Sequence, residues 1–154
     1  VDEGVGASIM PSRNTLDVAY LDMAARWAEL SQAVRKKVGC LIVKDGMIIS
    51  DGYNGTPRGF NNCCEIRLDE HDSKALMTKP EVLHAESNAI TKLAKSTQSS
   101  EGSTMYITIP PCTDCSKLII QSGIGRVVYK DFYKNSDGIK LLKQANIEVT
   151  SYEN

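Results

Sequence analysis

HAESNAITKLAKSTQSSEGSTMYITIPPCTDCSKLIIQSGIGRVVY, residues 84–129, is the stretch that decides the fold. Ala85, Ala89, Ile90 and Leu93 recur at helical spacing, so a helix is expected over 84–94. Residues 105–109 form an apolar run of strand length, stopped by Pro110 and Pro111. A second helix is expected over 112–122, closed by Gly123, and a further strand over 126–129. Strands alternating with helices imply parallel neighbours joined by right-handed crossovers.

The pattern extends outward in both directions. Toward the C-terminus, 136–145 reads as a helix and 147–149 as a final strand. Toward the N-terminus, 16–30 places Leu16, Ala19, Tyr20, Met23, Trp27 and Leu30 at helical spacing, with Asn14 or Thr15 as the cap. The apolar run 38–43 and the strand beginning at 47–49 flank Lys44-Asp45-Gly46 and read as a hairpin. Residues 52–59, GYNGTPRG, are a loop by composition. Residues 60–80 show no clear period and read as a long excursion with room for a helical turn; such a loop inside a compact domain is usually functional or partly disordered. The order α-β-β-α-β-α-β-α-β predicts an α/β fold: a three-layer α/β/α sandwich around a single mixed five-stranded sheet.

Length and composition agree with one domain. The chain has 154 residues, enough to bury a core without disulfide staples. Residues 15–154 are read as that domain and 1–14 as a tail. Residues 1–9 are small, polar and aperiodic, either an extension ahead of a native Met10 or a frayed end. No apolar run is long enough to span a bilayer and no leader pattern is seen, so a cytosolic location is expected, with no membrane partner. The net charge of −1 lacks the basic surplus of proteins that ride on a phosphate backbone, which argues against a nucleic-acid polymer as partner. Arg35, Lys36 and Lys37 form a local basic cluster that fits either one phosphate or a solvated turn.

Five cysteines, two of them adjacent, make a poor disulfide framework, and a C-x-x-C points to metal or redox chemistry. Two short segments carry that chemistry: His84-Ala85-Glu86 and Pro111-Cys112-Thr113-Asp114-Cys115. Alone, the second could be a redox pair or two buried thiols. Each opens a helix that follows an extended segment. Cys112 and Cys115 share a helix face, at an N-terminus that favours thiolates. If the two helices pack side by side, His84 supplies a third ligand. Three protein ligands and an open position suit a catalytic Zn2+, one per chain, better than a closed four-ligand structural site. Zinc lowers the pKa of its bound water to about 7, so hydroxide is available near neutrality. Glu86, two residues from His84, can stand beside the metal without binding it and move protons between water, ring nitrogen and leaving ammonia.

H-x-E with P-C-x-x-C is the signature of the zinc deaminases of nucleobases. The chain resembles the deoxycytidylate (dCMP) deaminases, phage-type members above all, of the cytidine-deaminase-like superfamily. The resemblance covers nearly everything from Leu16 to Val149. It rests on VGCLIV (38–43), GYNG (52–55), NCC (62–64), HAE (84–86), PCTDC (111–115) and the stretch 129–133. It implies hydrolysis of dCMP to dUMP and ammonia, supplying thymidylate synthesis. It also implies Asn54 as a contact to the sugar near its 3′ side, and Arg35 and Tyr133 as contacts to the 5′-phosphate. Family members are commonly hexamers, activated by dCTP with Mg2+ and inhibited by dTTP. Gly52, Tyr53, Gly55, Thr56 and Arg58 are the expected effector contacts. Some phage relatives hold a second, structural zinc through a cysteine whose matching position here is Ala33. Cys63, Cys64, His71 and Glu81 would have to assemble that site without it.

Two rival readings remain at this level. A tRNA or single-strand deaminase shares both motifs, but the charge and the long 54–84 excursion count against it. A non-catalytic nucleotide sensor would keep fold and zinc, but would have no need of Glu86.

Overall fold

The computed structural model describes residues 11–130 and 136–152. The elements in chain order are α1 (Arg13–Ala28), β1 (Gly39–Lys44), β2 (Met47–Tyr53), β3 (Glu65–Arg67), β4 (Leu76–Thr78) and α2 (Ala85–Leu93). They continue with β5 (Thr104–Ile107), α3 (Thr113–Gln121), β6 (Arg126–Tyr129), α4 (Asp137–Gln144) and β7 (Glu148–Ser151). The main sheet has five strands in the order β2-β1-β5-β6-β7. β1 is antiparallel to both β2 and β5, while β5, β6 and β7 are parallel. The mixed five-stranded sheet matches the expectation from sequence.

Period-two alternation splits the side chains of this sheet between two cores. Cys40, Ile42, Met105, Ile107 and Val127 face Ala85, Ala89, Ile119, Ile139 and Leu142 from α2, α3 and α4. Leu41, Val43, Tyr106 and Val128 face Leu21 and Ala24 of α1. The result is a sandwich with three helices on one face and α1 on the other. Asp45 and Gly46 turn β1 into β2 with φ of 51° and 75°, the left-handed pair that a two-residue hairpin requires.

Three expectations are corrected. First, α1 is capped by Ser12, whose hydroxyl accepts the Thr15 N–H at 3.2 Å, and it ends at Ala28. Its buried face is Asp17, Leu21, Ala24 and Ala28, while Met23, Trp27 and Leu30 are exposed. The reason is close approach. A Cβ at Gly39 would lie 1.9 Å from the Ala24 carbonyl oxygen, so α1 rests on β1 through its small residues and its large ones flank the contact. Second, β2 continues through Gly52 and Tyr53, which the composition placed in a loop. Third, the 60–80 excursion contains an antiparallel pair, with Glu65 opposite Thr78 and Arg67 opposite Leu76. Strands of three residues hold too few positions to display a period.

Candidate active site

Two helix N-termini create the site. His84 caps α2 with extended backbone (φ −72°, ψ 160°), and Cys112 caps α3 in the same way (φ −73°, ψ 174°). A short antiparallel bridge delivers the chain to His84: Gly55 N–H donates to the Leu83 carbonyl at 3.0 Å and Leu83 N–H to that of Gly55 at 2.8 Å. β5 and the stiff Pro110-Pro111 step deliver it to Cys112. Because α2 packs against α3, the two mouths converge.

His84 Nδ1 lies 3.5 Å from Cys112 Sγ and 3.3 Å from Cys115 Sγ. The three ligand atoms all fall within 4.8 Å of one another. One imidazole and two thiols at such distances are the borderline-soft donor set that zinc prefers, and three protein donors leave a position open for catalysis. The hydrogen bond from the Cys115 thiol, with that of His84, pulls the Cys112 thiol down to about 4. Cys115 is pushed up in turn by its bond to Cys112 and by burial. His84 is raised by its bond to Cys112, with burial opposing. These hydrogen bonds favour the thiolate form at Cys112, the form in which a cysteine binds a metal.

Glu86 is the second residue of α2, in its first turn; it is 4% exposed, and desolvation raises its carboxyl above the ordinary value. It is near His84 and Cys115 without completing a ligand set. Among the described residues His84, Cys112 and Cys115 are the one such cluster. Cys63, Cys64, His71 and Glu81 do not assemble a second. The Cys63 thiol donates to the Glu65 carbonyl at 3.3 Å, and that of the buried Cys64 to the Asn62 carbonyl at 3.7 Å.

A cavity of about 430 Å3 opens onto the cluster. His84, Glu86 and Cys112 lie along it, and so do Arg35, Lys36 and Asn54. The structure therefore puts the expected substrate contacts Arg35 and Asn54 in one cavity with His84 and Cys112; Tyr133 lies outside the described residues. Asn54 also braces the chain around it, with its Nδ2 donating to the Lys36 carbonyl at 2.8 Å and its Oδ1 accepting the Val38 N–H at 2.9 Å. Gly52, Tyr53, Gly55, Thr56 and Arg58 do not line the cavity. Gly52 is buried under α2, where a Cβ would stand 2.5 Å from the Ala85 carbonyl oxygen. Its missing side chain serves packing there. Glu65 and Thr78 line the cavity and were not anticipated. The only signal for them in the sequence was a long aperiodic excursion just ahead of His84.

The model of the cytidine and deoxycytidylate deaminase zinc-binding region matches residues 14–131. The deoxycytidylate deaminase of Enterobacteria phage T4 is 36% identical over 176 residues, covering 91% of this chain and 89% of that protein. The Saccharomyces cerevisiae deoxycytidylate deaminase is 36% identical over 91% of this chain, which spans 46% of the yeast protein. Among solved structures, the dCMP deaminase from the cyanophage S-TIM5, in complex with dCMP and dUMP, superposes with a TM-score of 0.83 at 42% identity, over 92% of this chain and 99% of that one. The matched stretch contains His84, Glu86, Cys112 and Cys115, the residues that the geometry singles out on its own: the chain belongs to the cytidine and deoxycytidylate deaminase zinc-binding family.

Proposed function

We propose that this deaminase hydrolyses dCMP to dUMP and ammonia. The observation that carries the reading is one cavity lined by acid–base and metal-binding groups and also by two cationic residues. Glu86, His84 and Cys112 supply the first, Arg35 and Lys36 the second. A bound zinc supplies water acidified to near neutral pH. The chain's own residues do the rest. His84, Cys112 and Cys115 hold the metal. The Glu86 carboxylate accepts a proton from the attacking water and delivers it to the ring nitrogen beside the amino-bearing carbon. It then takes the second water proton from the hydroxyl now on that carbon and passes it to the departing amine, so that water and an amino group become a carbonyl and ammonia. Burial, by raising the Glu86 carboxyl, suits it to hold that proton between steps.

Arg35, with Tyr133, takes the 5′-phosphate, and Asn54 the sugar. An amide has two donor hydrogens and two acceptor lone pairs, so the bonds from Asn54 to the backbone leave capacity for a sugar hydroxyl. Activation by dCTP with Mg2+, inhibition by dTTP, hexamer assembly and a cytosolic location belong to the same reading. Of the proposed effector contacts, Tyr53 at the end of β2 and Arg58 in the segment after it are exposed. No helix among the described residues is long and apolar enough to cross a membrane.

The test is ammonia release from dCMP, dCTP, deoxycytidine and a cytosine-containing oligonucleotide by zinc-loaded protein, each with and without dCTP and dTTP as effectors. Turnover centred on dCMP is expected. Turnover on the oligonucleotide alone would discard the substrate assignment, and silence on all four would favour a sensor. Rates indifferent to both effectors would remove the regulatory part.

A further inference from the structure

The segment that carries Arg35 belongs to no helix or strand. Side chains from distant parts of the chain hold it in place. Glu65, the first residue of β3, is only 9% exposed, and its Oε1 accepts the N–H of Val34 at 2.8 Å and of Arg35 at 3.2 Å. Thr78, its register partner at the end of β4, accepts from Arg35 Nη1 at 3.1 Å through Oγ1. On the other flank, Asn54 binds the backbone of Lys36 and Val38. Arg35 is thus fixed twice by one hairpin, at its backbone and at its guanidinium.

The carboxylate at 65 needs a reason. It lines the same cavity as Arg35 and Lys36. A carboxylate lining a cavity that receives an anion opposes binding by charge alone. It is compatible with an anionic ligand when its charge is spent on fixed donors, and two backbone N–H groups on a single oxygen do that. Neither bond involves His84, Glu86, Cys112 or Cys115.

We propose that Glu65, assisted by Thr78, is a positioning residue for the phosphate end of the substrate. It fixes the backbone from which Arg35 extends, and so confers preference for a nucleoside monophosphate over the nucleoside. The inference rests on the reading of Arg35 as the 5′-phosphate contact. It gives the β3–β4 hairpin a function in recognition.

The experiment measures kcat and KM for dCMP and for deoxycytidine in the zinc-loaded wild type and in the Glu65→Ala, Glu65→Gln, Thr78→Val and Arg35→Met variants. Loss of a charge-assisted hydrogen bond predicts about a tenfold rise in the dCMP KM for Glu65→Ala, with kcat changing far less. The ratio of kcat/KM for dCMP over deoxycytidine falls by a similar factor. Glu65→Gln, which retains an acceptor, recovers part of the loss, and Thr78→Val lowers the ratio about threefold. Should Glu65→Ala fail to fold, Glu65→Gln and the surface change Thr78→Val decide the matter. Equal losses on both substrates would reduce Glu65 to a structural residue and overturn the proposal. So would an unchanged ratio in the Glu65 and Thr78 variants while Arg35→Met lowers it. An unchanged ratio in Arg35→Met would instead show that the phosphate reading itself has failed.

Discussion

Replacing Gly138 with alanine sets two effects against each other, and their sizes decide the sign. Gly138 is the second residue of α4, where alanine's better helix propensity is worth up to about 1 kcal/mol. Against that, a Cβ at 138 would lie 2.1 Å from the Pro111 carbonyl oxygen, 2.8 Å from the carbonyl carbon of Cys112 and 2.8 Å from Ser116 Oγ. Carbon and oxygen come to rest at roughly 3.3 Å or more, so the carbonyl must retreat by about 1 Å. Two of the three neighbours are backbone of the loop that ends in a metal ligand, so no side-chain rotation relieves the clash. Overpacking of this kind costs about 1–3 kcal/mol, more than propensity returns. Net destabilisation of about 1–2 kcal/mol corresponds to a midpoint roughly 5 °C lower in a domain of this size. The relief also displaces Cys112 from His84. Zinc affinity is therefore expected to fall about 10- to 100-fold and kcat by up to about a hundredfold. Zinc competition with a chromophoric chelator, dCMP turnover and a thermal melt measure the three effects. Gly125→Ala is the control: there the nearest atom to a new Cβ is the Ser103 carbonyl oxygen, 4.0 Å away. A Gly138→Ala protein as stable as wild type, with wild-type zinc affinity, would refute the reasoning.

Glu86→Gln keeps the size of the side chain but cannot ferry a proton, so dCMP turnover is expected to drop about 10²- to 10⁴-fold with one zinc per chain retained by metal analysis. Wild-type turnover would remove Glu86 from the mechanism. On the opposite face of the sheet, Asp17 is 1% exposed and bonds Arg126 through both oxygens, at 2.8 and 2.7 Å, while the hydroxyls of Tyr106 and Tyr152 donate to it. Burial pushes the Asp17 carboxyl up, but the bonds from Arg126 and the two tyrosines outweigh it and hold it below the usual value of 3.8. A depressed carboxyl stabilises the fold above its unfolded pKa and loses that contribution as pH falls through the folded one. Asp17→Asn is therefore expected to cost about 3 kcal/mol at pH 7, with the gap to wild type closing in denaturant titrations below about pH 4. A gap that stays constant with pH would contradict this account.

The His84, Cys112 and Cys115 cluster was legible because metal ligation calls for short-range order. Cys112 and Cys115 are three apart, and His84 and Glu86 two apart. Both segments open periodic helices, so the spacing placed each at a helix mouth, and the packing of α2 on α3 makes those mouths neighbours. The parallel half of the sheet was legible for the same reason: β5, α3 and β6 each carry their own pattern. What could not be read depends on pairs far apart in the chain. The face that α1 buries follows from Asp17 meeting Arg126, 109 residues away, and from Gly39 admitting the backbone of α1. A periodicity count ranks a buried aspartate as solvent-facing and so turns the helix toward Met23 and Trp27. The Arg35 segment shows the same limit. Its charge run fitted a solvated turn as well as a phosphate site, and the residues that fix it, Glu65 and Thr78, come from 30 and 43 residues downstream. The candidate metal-binding groups are thus recorded in local sequence, while the surroundings of Arg35 are assembled from separate segments. Substitutions in the aperiodic 60–80 stretch should accordingly alter the kcat/KM ratio of dCMP over deoxycytidine more readily than the kcat of deamination.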